Sequence, residues 1–254
     1  MQLFNLKLLS EFAGTGIATD RYQLIDIFRG VAIVLMMVYH FNYDLVYFAL
    51  ADFDFNHDIV WLGFRTLILS LFLFLVGVSL QIAALRGLRT VRYLRRLAYV
   101  FFSALLVTAG SYFMFPQSLI FFGVLHFIVV ASLIGLLFVR WYWFNLVLGV
   151  ALILLAMMVK SPFFDQPSWQ WFGLMTHKPV TEDYVPLLPW FGVVLIGMFV
   201  GRMIQGRYSE SLSNYSQPHF LARLLAFGGR HSLLIYMLHQ PIFLGILYLL
   251  FGFV

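Results

Sequence analysis

The chain of 254 residues contains no cysteine. That removes disulfides, thiolate metal sites and a cysteine nucleophile from consideration, and it leaves the redox compartment open. Charge is scarce as well: Asp, Glu, Lys and Arg together make up 11% of the residues, too few to clothe a soluble domain of this size. In their place stand 62% hydrophobic residues and a mean hydropathy of +0.91, the composition of a polytopic, all-α membrane protein. The first twenty residues hold Lys7 and an apolar run, but Glu11 interrupts the run and no small-residue cleavage site follows. Residues 1–20 therefore read as an interfacial segment rather than a signal peptide, and residues 21–254 as a single transmembrane domain. No internal repeat is visible, and Gly14-Thr15-Gly16 is too short to be a phosphate loop.

Seven apolar stretches, 26–48, 59–82, 96–115, 118–139, 141–159, 185–205 and 232–252, are long enough to cross ~30 Å of hydrocarbon at ~1.5 Å per residue. A transmembrane bundle of about seven spans is expected. With the N-terminus in the cytoplasm, thirteen of the 16 lysines and arginines fall on that side, and Lys160, Lys178 and Arg65 remain for the outer side or the second span. This asymmetry orients the chain, puts the C-terminus outside, and explains the net charge of +5 without nucleic-acid binding. Trp61, Trp141, Trp143, Trp169, Trp171 and Trp190 all lie near span ends or in the outer loop 160–184, as interfacial anchors do.

The first span carries more polar groups than a lipid-facing helix tolerates. On a helix advancing ~100° per residue, Asp26 and Asp44 share an azimuth, and Arg29 and His40 lie within ~60° of it. Ionisable groups inside a span are costly, and a stripe of them marks function. His40 and Asp44, at i and i+4, suit a general base whose tautomer a carboxylate fixes; the plain alternative is a histidine that ties two helices together. Asp26 and Arg29, at i and i+3, could be an internal ion pair only. His57, in the outer loop between Asp54 and Asp58, is a second candidate base at the mouth of the bundle. Arg65 either snorkels to the surface or pairs with Asp44 or Asp58.

On the last span Ser232, Tyr236 and His239 share a face by their i, i+4, i+7 spacing, ahead of Pro241. That face can line a cavity or simply pack. His126 stands alone on an aromatic-rich span and reads as packing. Arg86, Arg89, Arg92, Arg95 and Arg96 crowd one cytoplasmic link. Such a loop is either topogenic and lipid-contacting or a site where forked guanidinium groups hold a polyanionic nucleotide.

Arg21, Asp26, Arg29, Gly30 and Ala32, followed by His40, resemble the first-helix signature of acyltransferase-3-type membrane enzymes. More of the chain is similar to bacterial relatives of heparan-α-glucosaminide N-acetyltransferase: the first helix, then Phe72 to Ala83, Phe121 to Ser132, Pro186 to Gly201 and Gly229 to Ile242. The resemblance implies transfer of an acetyl group from cytosolic acetyl-CoA, a co-substrate, through the inner (plasma) membrane to an amine or hydroxyl acceptor, usually a sugar, with no metal. It implies two different bases, His40 by the first pattern and His57 by the second. In this reading Arg29, Arg86, Arg89, Arg92 and Arg96 hold the nucleotide, while Arg65, Ser232, Tyr236 and His239 meet the acceptor or stabilise the oxyanion. The partners are then acetyl-CoA, a small carbohydrate-like acceptor and the lipid bilayer, not nucleic acid, with a homodimer left open.

Rival readings exist. An ion- or proton-coupled transporter could use the same stripe as a relay. A retinal protein needs a lysine within a span, and none is there; a b-type cytochrome would need His40 to face His126 or His239 across two helices.

Overall fold

In the computed structural model, which describes residues 22–114, 116–208 and 219–252, the described residues form a bundle of eight α-helices. They are α1 (Gln23–Tyr47), α2 (Ile59–Leu85), α3 (Thr90–Met114), α4 (Val124–Phe138), α5 (Tyr142–Met158), α6 (Leu187–Arg207), α7 (Phe220–Arg230) and α8 (Ser232–Phe251). The expected interfacial segment 1–20, together with Arg21, lies outside the described residues. Helices α1, α2, α3, α6 and α8 are long and apolar enough to cross a membrane. Helices α4 and α5, with 15 and 17 residues, are apolar but shorter. Seven stretches chosen by hydropathy thus become five helices of full length and two short ones.

Local chemistry sets the helix ends. Asp58 caps α2 by accepting the Val60 N–H at 2.8 Å. The turn from α2 to α3 passes through Gly87 at φ 83°, where a Cβ would be strained. Helix α4 starts at Val124 rather than near 118, because residues 118–122 run instead beside 181–185. Glu182 N–H bonds Ser118 O (3.2 Å), Val185 N–H bonds Phe122 O (3.2 Å) and Thr181 Oγ bonds Leu119 O (2.8 Å). Irregular backbone at this depth is tolerable since protein groups satisfy it. At its other end, the carbonyls of Phe138, Val139 and Arg140 accept from Asn145, Gln81 and Arg202, each at 3.0 Å.

The core forms where α6 packs between α2 and α5. Leu73, Phe127, Val194, Leu195 and Met198 are fully buried there. Small residues let the backbones close up: a Cβ at Gly77 would strike the Val194 carbonyl, and one at Gly197 the Phe74 carbonyl. Such approach drives helix association when lipid offers no hydrophobic gain. Helix α7 meets α1 the same way, Gly30 beneath Leu225 and Gly229 against the Asp26 carbonyl. None of the seven expected apolar stretches falls within 206–230, so α7 is an addition to the expected helices. By contrast α3 buries only Ala104 and Ser111; its exposed Phe101, Phe102, Leu106 and Phe113 suit contact with lipid tails.

Two faces result. One gathers the start of α1, the α2–α3 turn, the α4–α5 turn and the end of α6: Tyr22 bonds Gln205 (3.1 Å), Arg86 bonds Gln205 (3.2 Å) and stacks 4.4 Å over the Tyr22 ring. This is the arginine face. The opposite face gathers the end of α1, the start of α2 and the 159–186 loop, joined by Tyr43 to Glu182 at 2.9 Å.

Candidate active site

The polar stripe of α1 turns inward along its whole length. Asp26, Arg29 and Asp44 are buried and His40 is half-buried. Near the arginine face Arg29 bonds Asp26 (3.1 Å) and Ser79 of α2 (2.8 Å), so this pair clamps two helices. Arg86 is held by Tyr22 and Gln205, while Arg89, Arg92, Arg95 and Arg96 are exposed around the α2–α3 turn. Ser79 precedes Arg86 by seven residues, which sets Arg29 ~10 Å deeper than the exposed cluster.

Two turns or more beyond Arg29, α1 meets α8. The His40 and His239 rings stand 5.0 Å apart, tilted by 62°. Asp44, only 1% exposed, does not turn to His40 as its spacing suggested; its Oδ1 accepts the Gln240 amide at 2.6 Å. The His239 Nδ1 lies 2.6 Å from the Tyr236 carbonyl. A carbonyl only accepts, so Nδ1 carries the proton and Nε2 presents a lone pair. That Nε2 is buried without a partner, as are Asp44 Oδ2 and Gln240 Oε1. Three bare acceptors in one small region suit a visitor with hydrogens to donate, such as an amine or a hydroxyl.

The 159–186 loop closes over this region. Asp183 Oδ2 accepts the Val124 N–H (2.9 Å), at the positive start of α4, and the Tyr236 hydroxyl (3.2 Å). Burial pushes the Asp183 carboxyl above its ordinary range. Gly123 is needed here, since a Cβ would collide with that carboxylate. Glu182 accepts from Tyr43 (2.9 Å) and Ser118 (2.7 Å). Lys178 is drawn below its usual value by burial and then by Arg65, which lies in the second turn of α2. The sequence offered Asp44 or Asp58 as partners of Arg65, but Asp44 faces Gln240 and Asp58 caps α2.

The structure therefore brings together His40, Asp44, Tyr236 and His239. Ser232 sits half-buried at the first position of α8. His57 lies apart in character: its side chain is 86% exposed and its ring bonds Asp54 of its own loop at 2.9 Å. His126 is fixed structurally, Nδ1 accepting from the Gly123 N–H (3.3 Å) and Nε2 meeting Thr108 at 3.2 Å. Sequence reasoning did not single out Gln240, Lys178, Glu182 or Asp183. Adjacent acids just before an apolar span, and a glutamine beside a span histidine, are the signals that could have found them. Among the described residues no three His, Asp or Glu side chains converge as a metal cage would.

The family model described as Heparan-alpha-glucosaminide N-acetyltransferase, catalytic, matches residues 21–241. No curated protein and no solved structure matches the chain.

Proposed function

The chain belongs to the heparan-α-glucosaminide N-acetyltransferase catalytic family, and from that premise we propose that it moves an acetyl group across the inner membrane from acetyl-CoA to an amine or hydroxyl acceptor. The family and the apolar helices make it a membrane acetyltransferase. In the proposed orientation the arginine face is cytoplasmic, and Arg86, Arg89, Arg92 and Arg96 attract the nucleotide phosphates of the donor. Arg29, deeper on α1, marks the way from that face toward the histidine pair.

The chemistry is assigned to His239 and His40. The acceptor nitrogen or oxygen attacks the thioester carbonyl carbon and its proton passes to His239 Nε2. As the tetrahedral adduct collapses the carbon–sulfur bond breaks, and the CoA sulfur takes up a proton. Asp44 Oδ2 and Gln240 Oε1 orient the acceptor by accepting its remaining hydrogens, and His40 packs against His239 to hold the ring in place. The observation that carries this reading is the buried, partnerless Nε2 of His239, its tautomer set by the Tyr236 carbonyl. The site favours a nucleophile with a proton to lose. His57, exposed on its loop, belongs to the rim in this scheme.

Release of CoA thiol from acetyl-CoA in proteoliposomes, with amino sugars offered as acceptors, tests the proposal. Wild-type protein is expected to release thiol in proportion to acceptor, with the His40→Ala and His239→Ala variants deeply impaired. Thiol release that is absent in wild type, or undiminished from wild type in both variants, would sink it.

A further inference from the structure

Helix α7 covers only part of the α1 flank on which it packs. Gly30 lies beneath Leu225 and Gly229 against Asp26, so α7 runs antiparallel to α1 with its first turn toward Val34. At ~100° per residue Val34 and Met37 stand within ~40° of Gly30 on α1, on the same flank, and α7 begins only at Phe220. Beyond that point the flank opens into a groove of about 290 Å³, lined by Val34, Met37, Val38, Phe41 and Asn42 of α1 and by Phe243 of α8. Val34, Val38 and Phe41 are exposed, and Asn42 is the only polar residue of the lining.

The groove adjoins the histidine pair. Phe243 belongs to both: its ring stands 5.4 Å from Phe41 and 6.0 Å from His239, edge-on to each. His40 lies between the lining positions 37 and 41, and its ring meets His239 at 5.0 Å. From the outer face the pocket is covered by the 159–186 loop, through Glu182 to Tyr43 and Asp183 to Tyr236. The groove is the side on which the pocket borders lipid.

Its direction fits one leaflet. Val34 to Asn42 is ~12 Å along α1, close to half of ~30 Å of hydrocarbon. The polar end, Asn42, lies level with His40 and Asp44, and the apolar end, Val34, stands at the middle of α1. In the proposed orientation this is the arrangement of an outer-leaflet lipid, with its head at the histidines and its chain pointing toward the bilayer centre. The serine-rich link 209–218 is too polar to suit such a lining.

We infer that the groove is the chain-binding part of the acceptor site, so that the acceptor is an amphipathic lipid: a hydrocarbon chain joined to the head that bears the amine or hydroxyl. This rests on the acetyl-transfer reading and adds the class of its substrate. Rotation of Phe243 admits the head to the Nε2 of His239. Lipid tails are as apolar as the groove, so the chain gains packing rather than hydrophobic energy. Selectivity comes from the head, whose hydrogens meet the bare acceptors.

Proteoliposomes are given acetyl-CoA with the methyl or the decyl glycoside of glucosamine. Partitioning into the bilayer is common to all variants, so the change in preference between variants reads the groove. Val34→Trp and Val38→Trp, which fill it, are each expected to lower the decyl-to-methyl ratio of kcat/KM at least tenfold, mostly through KM for the decyl compound. Leu106→Trp, on the exposed face of α3, is expected to leave the ratio unchanged. Binding is read apart from transfer with a decyl glucosaminide that carries a diazirine on its chain, photolysed without acetyl-CoA. Labelling concentrated on residues 34–41 and Phe243, displaced by the unlabelled decyl compound and not by added phosphatidylglycerol, supports the site even where no thiol is released, in which case only the transfer reading fails. Labelling spread equally over α1 and α3, or displaced as well by phosphatidylglycerol, shows ordinary boundary lipid and overturns the inference. So does a decyl-to-methyl ratio that neither tryptophan variant of the groove lowers.

Discussion

Replacing His239 by asparagine separates what the ring does chemically from what it does structurally. The asparagine amide nitrogen falls close to the position of Nδ1, so it can still donate to the Tyr236 carbonyl that His239 meets at 2.6 Å. What disappears is Nε2, the buried lone pair with no partner. A positioned general base contributes about 10²–10⁴-fold to rate, which at about 1.36 kcal/mol per tenfold corresponds to about 2.7–5.4 kcal/mol of barrier. The loss of part of a ring from a mostly closed site costs stability too, but the retained hydrogen bond keeps the substitution milder than His239→Ala. Single-turnover release of CoA thiol, measured beside the melting temperature, reads both effects. His239→Asn is expected to melt within a few degrees of wild type while its rate falls at least a hundredfold. His57→Ala is expected to cost at least tenfold less than His239→Asn. A His239→Asn variant whose rate stays within threefold of wild type would refute the assignment, and a dominant His57 effect would move the base to the rim.

Asp26→Ala removes the Asp26 carboxylate from the buried Arg29 guanidinium; breaking a buried pair costs about 3–5 kcal/mol, readable as a large fall in thermal unfolding temperature, and Asp26→Leu with Arg29→Met is expected to recover most of it. Gly229→Ala forces a methyl against the Asp26 carbonyl; overpacking costs about 1–3 kcal/mol, and α7 amides are expected to exchange faster, with no effect of Gly245→Ala as the control because nothing lies near that position. Burial raises the Asp183 carboxyl above the ordinary value of about 3.9. The folded state thus holds this proton more tightly than the unfolded chain, so the group's contribution is full below about pH 4 and is lost as pH rises through the raised value. Hydrogen exchange at residues 181–185, corrected for intrinsic rate, is expected to quicken from pH 5 to pH 8 in wild type and to stay level in Asp183→Asn.

Hydropathy located the apolar helices because burial in lipid imposes one requirement on every residue of a span, and the stripe on α1 was legible because helical spacing alone fixes azimuth. The start of α4 was not, since residues 118–122 are as apolar as a span and only their pairing with 181–185 keeps them extended. Helix α7 escaped for a related reason: the contact of Gly30 with Leu225 and of Gly229 with Asp26 is a match of two absences of side chain, which no periodic signal announces. At the site, the sequence supplied His40, Asp44, Tyr236 and His239 on two helices. Which groups would pair required their packing. Asp44 chose Gln240 over the histidine one turn away, and Arg65 forms an ion pair with neither offered acid.

The short helices have a consequence for the surrounding bilayer. With 15 and 17 residues, α4 and α5 measure about 22 and 26 Å, against ~30 Å of hydrocarbon. The five longer helices match or exceed that thickness, so the bundle combines matched helices with two that fall short of it. Lipids beside α4 and α5 must compress, at a cost of fractions of a kcal/mol per Å. Acyl-chain length is thereby coupled to the depth of the 118–123 segment, and through Asp183 at the head of α4 to the pocket. On the acetyl-transfer reading, activity is expected to vary with bilayer thickness, shorter-chain lipids relieving the mismatch and longer ones increasing it.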